Sequence, residues 1–279
     1  MTTMSSETGE HMADRVKITT EALRAMKATG DKIVALTAYD YTMAGILDDA
    51  GVDLLLVGDS VGTVVQGHDT TVSVTFEHIL YHSELVSRAA KRAFVVGDMP
   101  FLSFQVSDEE ALRNAGRLLK EGLVEAVKVE GGQSVAPTVK RLTEAGIPVM
   151  GHLGLMPQSI HQYGTYKVRG TDAAEADLIA ADAQALEQAG AFAVVLEKIP
   201  AELATRITSE LSIPTIGIGA GSGCDGQILV THDMLGLFTK FRPRFVRRYA
   251  EIAEAIGGAI KDYCEDVRGS GFPGPDESY

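Results

Sequence analysis

Short apolar runs alternate with longer amphipathic segments along most of this chain. The runs are rich in β-branched residues and end in Gly, Asp or Glu, which is typical of buried parallel strands. Seven clear runs lie at residues 32–40, 53–60, 93–100, 125–132, 147–155, 191–200 and 213–221, and a weaker eighth lies at 226–230. The pattern therefore predicts eight strands, the last from a weaker signal than the others.

The segments between these runs have the apolar spacing of amphipathic helices. They predict helices at residues 75–91, 107–122, 134–146, 172–190 and 201–211, one more before the first strand at 19–30, and a last one at about 244–266. Gly122, Gly146 and Gly190 end three of these segments, and a glycine in the left-handed conformation commonly terminates a helix.

Strands that alternate with helices indicate a parallel sheet covered by helices on both faces. Eight strands favour a closed (β/α)8 barrel, a TIM barrel, with an additional N-terminal helix. The connection between the seventh and eighth strands is too short for a regular helix, so an irregular segment is expected there. Because no linker rich in Pro, Gly or Ser interrupts the middle of the chain, we predict one catalytic domain at residues 16–279, preceded by a disordered tail at 1–15.

Composition excludes several classes of protein. The chain has 279 residues with a formal net charge of −13, and this disfavours nucleic-acid and anionic-membrane partners, which require a basic face. Cys224 and Cys264 match no CxxC or zinc-ligand spacing, which predicts a reduced, cytoplasmic protein. No apolar run is long enough to span a membrane, and the start MTTMSSETGEHMADR lacks the apolar core of a secretory signal.

Polar residues close the first six strand-like runs. They are Asp40, Asp59, Ser60, Asp98, Lys128, Glu130, His152 and Glu197. The C-terminal ends of barrel strands meet at one mouth, where enzymes of this fold have their active sites. A single strand-end Asp is equally well explained as the cap of the next helix, but the residues after Asp59 and Asp98 do not begin a helix at once. Six converging ends therefore predict an active site.

The stretch AVKVEGG, at residues 126–132, places two charges on one face of a buried strand. Lys128 and Glu130 are two positions apart, so both point the same way. A plain internal ion pair is the alternative, but burying such a pair rarely gains net stability. His152, between two glycines, fits a hydrogen-bonded core histidine as well as a catalytic one. Alternation places Glu197 on the face of Val195, which favours the mouth over the rim.

The residue types at the strand ends narrow the chemistry. Three carboxylates without a histidine cluster favour a hard cation such as Mg²⁺ over zinc. The chain has no GxSxG motif, and only Cys224 lies just after a strand, so acyl transfer through a nucleophile is not expected. Lys128 should stay protonated beside Glu130, which favours an electrostatic role over a Schiff base.

Two loops that contain glycine have alternative interpretations. The segment GIGAGSG, at residues 217–223, fits a tightly packed turn better than a backbone nest for an anion, and it lacks GxGxxG spacing. The segment VQGHDTT, at residues 65–71, is equally compatible with a mobile lid over the active site and with a static loop.

Nine motifs resemble the ketopantoate hydroxymethyltransferase family. They are TAYDY (37–41), LLVGDSVG (55–62), VQGHDTT (65–71), GDMPF (97–101), VKVEGG (127–132), GHLGLMPQS (151–159), YKVRG (166–170), VLEKIP (195–200) and IPTIGIGAGSGCDGQILV (213–230). Their order and spacing match from about residue 16 to the C-terminus. One departure is YGTYKVRG, where the family more usually has a glycine before the aromatic residue and Gln in place of Arg169.

The resemblance implies a (β/α)8 barrel of the phosphoenolpyruvate/pyruvate superfamily. It implies transfer of a hydroxymethyl group from 5,10-methylenetetrahydrofolate to 3-methyl-2-oxobutanoate through a Mg²⁺-stabilised enolate. The product would be 2-dehydropantoate, on the route to pantothenate and coenzyme A. The implied site consists of Asp59, Asp98 and Glu130 for Mg²⁺, of Asp59, Ser60, Asp98 and Lys128 for the substrate, and of Glu197 as general base, with His152 a lesser candidate. A homodecamer is also implied.

A carboxylate base works better when apolar surroundings raise its pKa. We expect Val194, Val195 and Leu196 to supply such surroundings for Glu197. Two other functions remain alternatives. One is a superfamily mutase or lyase acting on a 2-oxo acid, although the KKCGH-like cysteine loop common in those relatives is missing from the sequence. The other is a non-catalytic barrel kept for binding or assembly.

Overall fold

The computed structural model describes residues 16–279, so the tail predicted at residues 1–15 lies outside the described residues. Eight parallel strands form a closed barrel in sequence order. They are β1 Ile33–Thr37, β2 Leu54–Val57, β3 Phe94–Asp98, β4 Ala126–Glu130, β5 Val149–Gly154, β6 Ala193–Glu197, β7 Thr215–Ile218 and β8 Gly226–Leu229. The predicted (β/α)8 barrel is confirmed, including the short eighth strand.

Apolar side chains fill the barrel interior. They include Leu54, Leu56, Val96, Met150, Val195, Ile216 and Ile228, and all of them are buried. Helix α1, Thr20–Thr29, confirms the predicted N-terminal helix and contributes Leu23 to this core. Its Lys27 ammonium lies 2.8 Å from a carboxylate oxygen of Asp225, which directly precedes β8. This contact ties α1 to the end of the barrel that lies opposite the C-terminal strand ends.

The other helices follow the strands in turn. They are α2 Tyr41–Asp49, α3 Val61–Val64, α4 Phe76–Ala89, α5 Asp108–Lys120, α6 Ala136–Glu144, α7 Ile160–Tyr163, α8 Ala173–Gln188, α9 Ala201–Glu210, α10 Thr231–Met234 and α11 Ile252–Arg268, with short 3₁₀ turns at Pro157–Ser159 and Pro275–Glu277. Thr75, Ser107 and Asp172 cap α4, α5 and α8 by accepting hydrogen bonds from backbone N–H groups. The helices predicted over residues 75–211 are therefore present.

Three local predictions were wrong. Gly122 lacks the left-handed conformation that Gly146 and Gly190 adopt, and the neighbouring Leu123 has φ 59° instead. A side chain at Gly122 would approach the Leu118 carbonyl oxygen at 2.7 Å, so glycine is needed there for space. A one-turn helix, α3, does begin directly after Ser60. The last helix starts at Ile252 and not near residue 244. The residues before it form turns, in which the Arg248 side chain donates hydrogen bonds to the Glu251 carboxylate and to the Phe238 carbonyl oxygen.

The chain divides into two compact units, one up to Ile228 and one at Leu229–Tyr279. The first contains the barrel with α1–α9, and the second contains α10 and α11. The expectation of one domain over residues 16–279 stays a prediction. No helix in the part of the chain that the structure describes is long and apolar enough to cross a membrane.

The glycine-rich segment at residues 217–223 packs closely against α9. A Cβ atom at Gly223 would approach the Thr205 hydroxyl oxygen at 2.1 Å, and one at Gly221 would approach the Ala201 Cβ at 2.5 Å. Glycine is required at both positions by these contacts. They support the tightly packed turn over an anion-binding nest.

Candidate active site

Six ionisable side chains meet at the C-terminal ends of β2–β6. Strand register brings them together, since Asp98 lies beside Lys128, and Glu130 lies beside His152 on neighbouring strands. Glu197 ends β6, and Asp59 follows β2 by two residues. Five of the six are buried, and the side chain of the sixth, Glu197, is 15% exposed. The predicted convergence at the mouth is therefore present for these six residues.

Asp40 does not join this group. It is exposed, and its carboxylate accepts a hydrogen bond of 2.9 Å from the Met43 backbone N–H at the start of α2. Asp40 is thus the helix cap that was the alternative explanation for any strand-end Asp. Ser60 does lie at the site, with its hydroxyl 2.7 Å from the phenol oxygen of buried Tyr39.

The Lys128 ammonium lies among carboxylates. Its Nζ is 2.9 Å from Asp98 Oδ1 and 3.9 Å from Glu130 Oε1. Burial lowers the pKa of Lys128, but the charges of Asp98, Glu130 and Asp59 outweigh burial and raise it above its ordinary value. Lys128 is therefore a fixed positive charge at the mouth, as its position beside Glu130 predicted.

His152 bridges two glutamates from neighbouring strands. Its Nδ1 lies 3.3 Å from Glu130 Oε1 and its Nε2 lies 3.2 Å from Glu197 Oε2. Burial and Lys128 lower the pKa of His152, but Glu130 and Glu197 raise it to about 9. The same Nδ1 also lies 3.2 Å from Lys128 Nζ, so the imidazole contacts both glutamates and the ammonium.

Negative charge exceeds positive charge on the β2 and β3 side of the mouth. Burial, then the charges of Asp98 and Glu130, raise the pKa of Asp59 well above its ordinary value. Burial also raises the pKa of Asp98, although Lys128 opposes this shift. The raised pKa values mean that ionising these carboxylates is unfavourable without a further cation.

The surroundings of Glu197 differ from the expectation. Val194 packs against the helix layer, where its side chain would meet a Cβ atom at Gly151, and alternation puts Leu196 on that same outer face. Only Val195 shares the interior with Glu197, whose carboxylate contacts the His152 ring instead of an apolar pocket. The expectation of an apolar surrounding was wrong because it ignored that strand faces alternate.

A glycine makes room for Glu197. Gly154 ends β5 with φ 90°, and a Cβ atom there would approach the backbone carbonyl oxygen of Glu197 at 2.2 Å. Any other residue at position 154 would push the ends of β5 and β6 apart. The glycine of the GHLGLMPQS motif therefore sets the separation of the two strand ends.

Gln158 is a site residue that the sequence interpretation did not identify. It is buried, and its amide nitrogen lies 3.2 Å from Asp59 Oδ2, while its backbone N–H donates to Glu130 Oε2 at 3.0 Å. The residue belongs to the GHLGLMPQS motif after β5. No periodic signal marks a glutamine in a 3₁₀ turn as buried, so only its position beside a proline in this motif offered a hint.

Arg169, which departs from the family pattern, is bound within the loop between β5 and α8. Its guanidinium carbon lies 4.0 Å from the centre of the Tyr163 ring, and the side chain pairs with Glu175. Its backbone N–H donates to the Lys198 carbonyl oxygen at 2.9 Å. Arg169 therefore fastens this loop to the segment that follows Glu197.

The loop at residues 65–71 ends in buried Thr71, which is compatible both with a mobile lid and with a static loop.

The donor set at the mouth suits a hard divalent cation. Asp98 Oδ1 and Glu130 Oε1 are buried, and neither has an aligned hydrogen-bond partner within the described residues. Within residues 16–279, no three His, Cys, Asp or Glu side chains are already drawn together as a metal-binding group. The Lys128 ammonium contacts both Asp98 and Glu130. Carboxylate oxygens in this environment fit Mg²⁺.

Carboxylates, one lysine and one histidine at the C-terminal mouth of a parallel barrel define an enzyme site of the TIM-barrel class. The sequence profile of the family "Ketopantoate hydroxymethyltransferase" matches residues 17–275. This chain belongs to that family.

Individual relatives support the assignment. The chain is 59% identical over 266 residues to a 3-methyl-2-oxobutanoate hydroxymethyltransferase of Prosthecochloris aestuarii, covering 94% of this chain and 96% of the relative. It is 56% identical over 263 residues to the 3-methyl-2-oxobutanoate hydroxymethyltransferase of Syntrophus aciditrophicus, covering 94% of this chain and 97% of that relative. Among solved structures, phosphonopyruvate hydrolase has a TM-score of 0.61 at 12% identity, covering 93% of this chain and 90% of the other. The structure of 2,3-dimethylmalate lyase, a member of the PEP mutase/isocitrate lyase superfamily, has a TM-score of 0.57 at 16% identity, covering 93% of this chain and 90% of the other. These two structures show the same barrel fold.

Proposed function

We propose that this enzyme transfers a hydroxymethyl group from 5,10-methylenetetrahydrofolate to 3-methyl-2-oxobutanoate and so forms 2-dehydropantoate for pantothenate and coenzyme A synthesis. The family and the high identity to named hydroxymethyltransferases carry the reaction. The single structural observation in its favour is the buried set of carboxylates around Lys128 at the barrel mouth. Such a set can bind an anionic 2-oxo acid and deprotonate the carbon next to its ketone.

Asp59, Asp98 and Glu130 would hold Mg²⁺. Burial raises the pKa values of Asp59 and Asp98, and the neighbouring carboxylates add to the shift, which supports this assignment. When bound, Mg²⁺ would supply Lewis-acid chemistry toward the carboxylate and ketone oxygens of the substrate. A magnesium ion would also offset the mutual repulsion of the three carboxylates.

Lys128 would bind the substrate carboxylate and stabilise negative charge that develops on the ketone oxygen. The ammonium is buried and charged, and its carboxylate neighbours fix its place. Little reorganisation is then required when charge develops, which is the basis of electrostatic catalysis. Ser60 and the two aspartates would complete the substrate contacts, with Tyr39 orienting the Ser60 hydroxyl.

Glu197 would take the proton from the substrate carbon. Its carboxylate is the member of the group that retains some exposure, so it can face a substrate in the mouth. His152 Nε2 lies 3.2 Å from this carboxylate and would hold it in place. The proton would pass to Glu197, and the resulting carbon nucleophile would form a bond to the one-carbon unit of the folate donor. Water would supply the hydroxyl oxygen of the new CH2OH group, and tetrahydrofolate would be the leaving group.

The direct test of this function is product formation. The purified protein, incubated with both substrates and Mg²⁺, should form 2-dehydropantoate, and chelation of the metal should stop the reaction. Absence of product with both substrates would overturn the proposal. Cleavage or rearrangement of a 2-oxo acid without the folate donor would instead support a mutase or lyase.

We expect no covalent imine at Lys128. The neighbouring Asp98 and Glu130 keep the amine protonated, and a protonated amine is a poor nucleophile. Borohydride added in the presence of 3-methyl-2-oxobutanoate should leave the mass of the protein unchanged. A mass increase that peptide mapping places on Lys128 would refute the electrostatic role.

We also expect a homo-oligomer, a decamer by family resemblance, in the cytoplasm. Ile256, Ile260 and Tyr263 form an exposed apolar stripe on α11, which has no buried residue. Such a stripe is a common feature of association surfaces. Light scattering at micromolar concentration should give a mass several times that of one chain, whereas a value near 29.7 kDa would contradict the prediction.

A further inference from the structure

Gln158 contacts two of the three carboxylates assigned to Mg²⁺. Its side-chain nitrogen Nε2 donates to Asp59 Oδ2 at 3.2 Å and to the Met99 carbonyl oxygen at 3.0 Å. Its backbone N–H donates to Glu130 Oε2 at 3.0 Å. The residue is buried, so these hydrogen bonds are shielded from water. Gln158, which lies in the loop after β5, thus connects the ends of β2 and β4.

The orientation of the Gln158 amide follows from its neighbours. A backbone carbonyl only accepts hydrogen bonds, so the NH₂ group must face Met99, and Asp59 Oδ2 lies beside the same nitrogen. The amide oxygen lies on the other side, 3.4 Å from Nε2 of Gln105. The reversed orientation would place three acceptors together in a buried site.

The three carboxylates share one arrangement. Each has one oxygen held by a backbone or amide N–H: Oδ2 of Asp59 and Oε2 of Glu130 by Gln158, and Oδ2 of Asp98 by the Asp59 backbone N–H at 2.9 Å. The opposite oxygens contact the basic side chains of the site: Oδ1 of Asp98 lies 2.9 Å from Lys128 Nζ, and Oε1 of Glu130 lies 3.3 Å from His152 Nδ1. Anchoring one oxygen fixes the direction in which the other points.

We propose that Gln158 is a positioning residue that orients Asp59 and Glu130 for cation binding. The inference rests on the proposed function, because it assumes that these carboxylates bind Mg²⁺. A neutral amide suits this role, since it supplies two donors without cancelling the negative charge that attracts the cation. Lysine or arginine at position 158 would compete with the metal for the same oxygens.

The test is metal affinity measured directly. The Gln158→Met variant keeps the length of the side chain and removes the amide. Titration calorimetry with Mg²⁺ in the presence of 3-methyl-2-oxobutanoate should show affinity reduced by roughly 10- to 100-fold, the usual effect of losing a group that orients a metal ligand. Activity should recover as the Mg²⁺ concentration is raised. A purely structural role would lower the unfolding temperature and leave the metal affinity of the folded protein unchanged.

Gln133→Met is the matched control. Gln133 makes the same kind of contact, from its amide nitrogen to Asp182 Oδ1 at 3.0 Å, outside the site. Its substitution should leave Mg²⁺ affinity within about twofold of the parent protein. If Gln158→Met does not fold, Gln158→Asn retains a polar side chain but is one methylene too short to reach Asp59, and the same loss is expected.

The outcomes separate the two ideas. If the parent protein itself does not bind Mg²⁺ with substrate present, the metal assignment in the proposed function fails, and the role of Gln158 fails with it. If the parent binds Mg²⁺ and the folded Gln158 variants bind it equally well, only the positioning role is overturned. A loss confined to Gln158 variants that high Mg²⁺ reverses supports the role.

Discussion

Glu197→Gln is expected to slow exchange of the C3 hydrogen of 3-methyl-2-oxobutanoate with solvent deuterium by roughly 10²-fold or more, the usual scale of general-base catalysis. The substitution keeps the size of the side chain and removes its ability to accept the proton. Exchange can be followed by NMR with Mg²⁺ and without the folate donor, so it isolates the proton transfer from the later bond formation.

Substrate binding should change much less in this variant, because Lys128 and the aspartates carry it. Glu202→Gln, an exposed glutamate in α9, is the matched control and should exchange at the parent rate. Exchange at the parent rate in Glu197→Gln would remove Glu197 from the role of base. His152 would then be the next candidate, because its Nε2 lies 3.2 Å from Glu197 at the same place in the mouth.

Asp98→Asn is expected to abolish measurable turnover, with a loss of roughly 10³-fold or more, because a metal ligand contributes several kcal/mol to the stabilisation of charge. The carboxylate is buried, with Oδ1 directed at Lys128 and Oδ2 accepting the Asp59 backbone N–H. An amide has the same shape but lacks the negative charge that attracts Mg²⁺. Calorimetry with substrate present should show greatly weakened Mg²⁺ binding.

The fold should survive this change. Removing one negative charge relieves the repulsion that contributes to the raised pKa of Asp59, and Lys128 retains Glu130 as a partner. Circular dichroism and thermal unfolding should therefore resemble those of the parent. Asp177→Asn, on the exposed face of α8, provides the control for an aspartate-to-asparagine change. Unchanged Mg²⁺ affinity in Asp98→Asn would rule out the assignment of Asp98 as a ligand.

The alternation of side-chain direction along each strand predicted more of the site than residue type did. It correctly put Lys128 and Glu130 on one face, and it put Glu197 with Val195. The expectation that Val194 and Leu196 surround Glu197 was wrong, because both residues are an odd number of positions from Glu197 and so lie on the opposite face of the strand. Asp40 shows the other weakness, because an aspartate at a strand end has the same local sequence whether it caps a helix or enters a site.

The sequence by itself determined the barrel, the strand ends that carry polar residues and the family, because these follow from periodicity and from motifs read along the chain. Tertiary structure alone decided which charges touch. His152 lies between Glu130 and Glu197, and Gln158 connects Asp59 to Glu130, only because register and loop conformation bring atoms of distant segments to within 3.3 Å of each other. Local periodicity gives the direction of a side chain from its own strand, whereas a contact depends on the relative placement of two strands. That placement is set by packing of the whole barrel.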